Sequence, residues 1–226
     1  MKNVGIIFAM YDEFAPVCQA LGECFATEGT ESFYVSTYRA QDKAIYVAVS
    51  GVGEICAAAA TQLLITKYNA ECILNFGVAG GLVESVKTFD TVLVDTVVQA
   101  DFDISASGSY VKGQLAGFAS PYIQTDRTLL ERASSLAGFP LVTCASADRF
   151  VDTREEREAL NKEFGAQICE MEAAGIQVTA MLNGIPALFV KTISDSVGGG
   201  ATEYVSSADK AVTAYRDLFV KLIKAL

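Results

Sequence analysis

The chain has 226 residues, of which 51% are hydrophobic and only 19% charged, and its 27 acidic and 17 basic side chains leave a formal charge of −10. That composition supports one sizeable core and excludes disorder, and the acidic balance excludes nucleic-acid backbones and anionic membranes as partners, since both need clustered Lys and Arg. There is no histidine, so Ser-His-Asp and Cys-His chemistry and the commonest zinc ligand sets are absent, and acid–base work must rest on Asp, Glu, Lys, Tyr or Cys.

The N-terminal apolar run is short, and Tyr11-Asp12-Glu13 interrupts it too early for a signal peptide. No segment approaches the ~18 uninterrupted apolar residues of a membrane span. The six cysteines contain no Cys-x-x-Cys pair and read as free thiols of a reducing cytoplasm. Residues 4–9 read as a buried strand, followed by a short helix to about Leu21. Residues 33–39 and 44–50 flank Gln41-Asp42-Lys43 as a hairpin. Gly51-Val52-Gly53 precedes an alanine-rich helix, 54–67, whose small side chains suit close packing on a sheet. Residues 72–76 form a buried strand ending in Gly77-Val78-Ala79-Gly80-Gly81, and 91–99 form another. The loop 101–119 is long for a compact domain, a length that marks functional or interface segments. Asp126 caps a helix to Ala137, residues 141–146 are a strand, and Thr153 and Glu156 have the spacing of a capping box.

Gln167-Ile168-Cys169 ends a strand that runs into Glu170-Met171-Glu172. A helix over 173–182 stops at Asn183-Gly184-Ile185-Pro186. Residues 187–192 are the last buried strand, and a final helix over 207–226 carries Ala211, Tyr215, Leu218, Leu222 and Ala225 on one face. The alternation predicts a single α/β domain spanning 1–226, with a mixed, largely parallel central sheet flanked by helices.

Ligands of open α/β sheets bind beyond the carboxyl ends of the strands. Those ends carry Asp12 and Glu13, Ser50, the glycine run 77–81, Asp148 and Phe150, Glu170 and Glu172, and Ser194 and Asp195. A helix dipole alone accounts for acids at one helix start. Carboxylates at several strand ends instead predict one convergent small-molecule site. The glycine clusters serve either tight turns or close approach of backbone amides to a ligand. Cys56 stands where a dinucleotide fingerprint needs its third glycine, and no Gly-Lys-Ser/Thr follows any glycine run, which excludes a P-loop.

The segments Gly5-Ile6-Ile7, Ala9-Met10-x-x-Glu13, Ser50-Gly51-Val52-Gly53, Asn75-x-Gly77-Val78-Ala79-Gly80-Gly81, Phe150-Val151, Glu170-Met171-Glu172-Ala173 and Ile193-Ser194-Asp195 resemble, in order and over nearly the whole chain, the bacterial 5′-methylthioadenosine/S-adenosylhomocysteine nucleosidases. The Glu-Met-Glu and Ile-Ser-Asp motifs belong to the wider nucleoside phosphorylase and nucleosidase superfamily, and the N-terminal Ala-Met-x-x-Glu narrows it to the nucleosidase branch. The resemblance implies a nucleoside phosphorylase-like fold, a cytoplasmic homodimer, no metal or organic cofactor, and a purine nucleoside as substrate. The implied reaction hydrolyses the bond between adenine and a 5′-substituted ribose through an oxocarbenium-like state.

By resemblance Asp195, positioned by Ser194, protonates the base at N7. Glu172 lies beneath the ribose with Met171 packed on the sugar, and Glu13 activates water. Phe150 stacks on adenine and the Val151 backbone reads its edge. Val52, Val78, Ala79 and Gly80 complete the substrate contacts, and Glu170 is either a further contact or structural. Acid and base must sit in environments that push their pKa values apart.

Several positions depart from the family pattern. Asn75 and Val78 stand where phosphorylases place a phosphate-binding arginine and hydroxyl, which favours water as the nucleophile. Lys191 replaces a usual arginine and loses its planar fork. Glu54 replaces a usual lysine and reads as a surface change, and Ala100 replaces a usual histidine. Ser107 and Ala116 replace an aromatic and a proline in the long loop, which by resemblance crosses a dimer interface to line the pocket for the 5′ group. Those two changes read as a wider, more polar pocket or as ordinary loop drift. A futalosine-type substrate, a phosphate-dependent phosphorylase and a non-catalytic nucleoside binder are the alternatives, and the last has no need of a water-activating Glu13.

Overall fold

Ten strands form one sheet in the computed structural model, which describes residues 1–225. β1 (Asn3–Phe8) pairs in parallel with both β4 (Lys43–Val49) and β5 (Cys72–Gly81), and β5 pairs in parallel with β10 (Ala187–Asp195). β6 (Thr91–Gln99), β8 (Leu141–Ser146) and β9 (Ile168–Glu170) form a second parallel set. Antiparallel pairs β10–β6 and β5–β9 join the two sets, so β10, β6, β8, β9 and β5 close on one another as a ring. Closure leaves these strands without a free edge, and residues at or just beyond the carboxyl ends of β1, β5, β8, β9 and β10 line one cavity.

The hairpin of β3 (Tyr34–Ala40) and β4 is as predicted. β2 (Cys24–Gly29) extends it at the outer edge, and β7 (Ile123–Gln124) adds two residues beside β6. Neither carries a sequence signal: every residue of β2 is exposed, so the strand lacks the in–out alternation that marks a buried face. β5 does not end at Phe76. It continues through the glycine run to Gly81, because β10 and β9 supply ladder partners on both sides.

Seven helices flank the sheet: α1 (Tyr11–Cys18), α2 (Glu54–Tyr68), α3 (Arg127–Ala137), α4 (Arg154–Phe164), α5 (Ala173–Leu182), α6 (Gly200–Ala214) and α7 (Arg216–Ala225). A 3₁₀ turn carries α1 on to Leu21. The Asp126 cap and the Thr153–Glu156 capping box form as the sequence predicts. On one side of the sheet Phe8, Phe14, Phe76, Tyr215 and Phe219 pack together. On the other, Ala57 and Ala60 let α2 lie close on Ile7 and Ile73.

The C-terminal helix departs from the prediction. It starts at Gly200 and breaks at Tyr215, where φ is −83° and ψ −2°, the bridge region outside helix geometry. Tyr215 is fully buried against Phe76, and its hydroxyl donates to the Glu13 carbonyl at 2.5 Å. That anchor costs the helix its straightness and fixes the backbone beneath Glu13. Ala225 is exposed and leaves the predicted apolar face, and Leu226 lies outside the described residues. No described helix is long and apolar enough to cross a membrane.

Candidate active site

The strand ends converge on one cavity. Glu13 enters from the first turn of α1. Its side chain folds back so that Oε2 accepts the N–H groups of Ala9 (2.9 Å) and Met10 (3.1 Å), while Oε1 accepts that of Val78 (3.0 Å). Burial raises its pKa against the opposing pull of Lys191 and these three donors. Glu172 is the N-cap residue of α5, and its Oε1 accepts the Gly53 N–H at 3.1 Å. Burial, reinforced by the charge of Glu170, pushes Glu172 up to about 8. Asp195 closes β10: the Ser194 hydroxyl donates to its Oδ1 at 2.6 Å, and Arg157 forms a buried ion pair with its Oδ2.

Glu170 has a different environment from Glu172 two residues on. Its carboxylate accepts the N–H of Glu172 at 3.1 Å and that of Ala173 at 2.9 Å, the Cys144 thiol at 3.6 Å, and Lys191 Nζ at 2.9 Å. Burial works against its charge, but Lys191 and these bonds outweigh it and hold the pKa below its ordinary value. Glu170 thus caps α5 and anchors the only lysine in this buried group. Lys191 is raised in turn: desolvation works against its charge and is overcome by Glu170, Glu172 and Glu13.

Met171, Val52, Val78, Ala79, Gly80, Phe150 and Val151 all line the cavity. Phe150 meets Tyr204 of α6 edge to face, with ring centroids 5.6 Å apart. The Val151 carbonyl is occupied by Arg157, which donates to it from Nε (3.1 Å) and Nη2 (2.7 Å). The Val151 N–H has no protein acceptor among the described residues. Ser107 and Ala116 are exposed on the long loop and do not line this chain's cavity.

Arg157, Arg149 and Tyr204 also line the cavity, and no sequence motif marks them. Arg157 sits in the charged stretch Arg154-Glu155-Glu156-Arg157, which reads as a solvated face. Its one signal is helical spacing, since Arg157, Leu160 and Phe164 share the buried side of α4. Glu54 is corrected as well. It is 6% exposed and not a surface residue. As the first residue of α2 it turns inward, accepts Gln99 Nε2 at 2.6 Å, and is pushed up to about 7 by burial and by Asp101.

The α2–α5 crossing sets the Gly53–Glu172 contact. A Cβ on Gly175 would lie 2.2 Å from the Glu54 carbonyl oxygen. Gly175→Ala therefore forces the helices apart, with an expected loss of about 1–3 kcal/mol in stability by denaturant unfolding and a raised KM as Glu172 shifts. An unchanged midpoint would show that the crossing relaxes freely.

A mixed sheet closed into a ring, with three carboxyl groups in distinct environments around one cavity, is the arrangement of an α/β enzyme site built for acid–base work on a small molecule, and its relatives place it among the enzymes that cleave nucleosides. Residues 3–225 match the model of the phosphorylase superfamily. The 5′-methylthioadenosine/S-adenosylhomocysteine nucleosidase of Treponema pallidum is 34% identical over 92% of this chain and 86% of its own length. The aminodeoxyfutalosine nucleosidase of Helicobacter pylori is 30% identical over 87% and 86%. The structure of the Helicobacter pylori 5′-methylthioadenosine/S-adenosylhomocysteine nucleosidase with butyl-thio-DADMe-Immucillin-A superposes with a TM-score of 0.94 at 26% identity, covering 100% of this chain and 99% of that one. The chain belongs to the phosphorylase superfamily and, within it, to the nucleosidase family of these relatives.

Proposed function

We propose that this protein is a cytoplasmic nucleosidase that hydrolyses 5′-substituted adenine nucleosides, such as 5′-methylthioadenosine and S-adenosylhomocysteine, and releases adenine. The observation that carries the reading is the convergence of Glu13, Glu172 and Asp195 on one cavity whose cations are already engaged. Lys191 is held by Glu170, Arg157 by Asp195, and Arg149 pairs with Glu156 at 2.7 Å. Asn75 donates to the Ile7 carbonyl, and Val78 offers no hydroxyl. Lys191, Arg157 and Asn75 are committed to protein partners and Val78 cannot donate, which favours water over phosphate as the nucleophile.

In the proposed reaction the bond from C1′ to N9 breaks and its electron pair leaves with the base. The step starts from the carboxylic acid form of Asp195, with the proton on Oδ1 and Oδ2 still accepting from Arg157; that proton passes to N7, and positive charge grows on the ribose above Glu172 and Met171. Glu13 takes a proton from water as the oxygen attacks C1′. One proton is lost and one gained, so exchange with solvent restores the site. Phe150 supplies the stacking face. The free Val151 N–H suits the acceptor N1 of adenine and opposes the N1–H of a 6-oxopurine. Discrimination of 5′-methylthioadenosine over 5′-methylthioinosine is expected on the order of 10²-fold or more in kcat/KM. Equal rates would contradict adenine recognition by Val151.

A futalosine-type nucleoside is the second reading. It is favoured by Tyr204, which lines the cavity with a hydroxyl that has no protein hydrogen-bond partner among the described residues. Relative kcat/KM for methylthioadenosine, adenosylhomocysteine, 5′-deoxyadenosine and aminodeoxyfutalosine separates the two. A clear preference for methylthioadenosine removes the second reading, and free adenine from none of the four removes both. We also propose a homodimer in which the loop carrying Ser107 and Ala116 reaches the partner's pocket. Ile55 on α2 (79% exposed) and Leu182 at the end of α5 (72% exposed) support an apolar contact face. Side-chain hydrogen bonds between Gln62 and Asn183 hold these helices side by side. Light scattering at the monomer mass would contradict this assembly.

A further inference from the structure

Arg157 is 1% exposed and heads the largest fully buried side chains of the protein. Isolated burial of a guanidinium is costly, and its replacement by an apolar side chain is often neutral or stabilising. Its donors are all directed at segments that build the site. Nε and Nη2 donate to the Val151 carbonyl, in the loop that carries Phe150. Nη1 donates to the carbonyls of Ser196 (2.7 Å), Gly81 (3.3 Å) and Asp195 (3.4 Å), at the ends of β10 and β5. Nη2 also binds Asp195 Oδ2. Room for the pair comes from Gly80, where a Cβ would approach both Arg157 Nη1 and Asp195 Oδ2 to 3.2 Å.

We propose that Arg157 is the positioning residue for leaving-group protonation: it fixes the orientation of the Asp195 carboxyl relative to the base-reading loop. Oδ2 is tied to the guanidinium and Oδ1 accepts the Ser194 hydroxyl, so the carboxyl cannot turn, and the base meets it only through the remaining face of Oδ1. The same guanidinium holds the Val151 carbonyl, so the acid and the edge-reading N–H share one rigid mount. A planar fork is needed because the two targets are bridged by adjacent nitrogens. A lysine has three donors and no planar fork, so it cannot serve the Val151, Gly81, Asp195 and Ser196 carbonyls and Asp195 Oδ2 together.

The inference rests on Asp195 acting as the acid, and a double-mutant cycle separates the two claims. Arg157→Lys is expected to lower kcat for 5′-methylthioadenosine about 10–100-fold, with KM within about threefold because stacking and ribose contacts persist. Asp195→Asn lowers kcat further, and the double variant is expected to be no slower than Asp195→Asn alone, since the two act as a unit. Losses that multiply, or an unchanged kcat in Arg157→Lys, would overturn the proposal while leaving the acid role intact. Full turnover in Asp195→Asn would instead overturn the acid role. Arg157→Gln and Arg157→Met are measured in parallel, with unfolding midpoints for each, and any variant that folds enters the cycle. If none folds, Arg157 belongs to the fold alone and the proposal fails.

Discussion

Glu13→Gln is expected to lower kcat for adenine release about 10³-fold, the scale of a lost general base, with KM little changed and the fold intact. The fold survives because glutamine is isosteric and its amide oxygen keeps the Ala9 and Met10 bonds of the capping box; only the Val78 N–H, then facing the amide NH2, loses its acceptor. What is lost is the proton acceptor. The bonds from protein to the Glu13 carboxylate come only from backbone N–H groups, those of Ala9, Met10 and Val78, so no side-chain cation competes directly for its oxygens. Its pKa is nonetheless raised by burial, which makes it a stronger base than an exposed glutamate. A variant that kept near-full turnover would move water activation to another residue.

Lys191→Met is expected to be the most damaging single change outside the three assigned carboxylates. Lys191 is the buried cation that faces Glu170, Glu172 and Glu13 together. Removing it strands Glu170 as an unpaired buried charge, at a cost of about 3–5 kcal/mol. The pH dependence has a definite sign. In the proposed reaction Glu13 and Glu172 act as carboxylates; both are already raised by burial, and Lys191 pulls both down. Without the lysine both rise further, so the acid limb of kcat/KM moves to higher pH, and activity lost near neutrality returns partly in alkali.

The stability linkage runs through the same pair. Glu170 is depressed in the fold, so its contribution is present above its unfolded pKa and lost as pH falls through the folded value. Lys191 is raised, so its contribution is full below its unfolded pKa and lost as pH rises through the folded one. Lys191→Arg keeps the charge and should restore the limb. An acid limb that stays in place in Lys191→Met would show that the lysine does not tune the other carboxylates.

The parts of the site legible in the sequence are those where a strand ends and a polar residue follows it. Glu13, Phe150, Glu172, Ser194 and Asp195 sit at such junctions, where apolar runs stop abruptly. Residues that act from behind were hidden, because their signals are shared with ordinary features. Arg157 lies among charged helix residues, and only its register with Leu160 and Phe164 sets it inside. Glu54 follows a glycine turn at a helix start, where acids are usual on the surface, and only the approach of Gln99 turns it inward. Glu170 and Glu172 are two residues apart and chemically identical. Their different environments depend on Lys191 and Gly53, which are distant in sequence.

Fold errors have the same origin. The glycine run after Phe76 reads as lying beyond the strand end, either as a tight turn or as backbone approaching a ligand, yet it is strand because β9 and β10 pair with it. The helix break at Tyr215 follows from a hydrogen bond to Glu13 across 202 residues of sequence. Local pattern carries neither fact.

The central claim is that water, not phosphate, is the nucleophile at a site whose cations are all engaged. The direct measurement is the product formed from 5′-methylthioadenosine by phosphate-free protein, with phosphate then added to millimolar levels. The expected result is adenine and free 5-methylthioribose in equal amounts, at a rate that phosphate does not increase. Release that depends on phosphate and yields the sugar 1-phosphate would contradict the account.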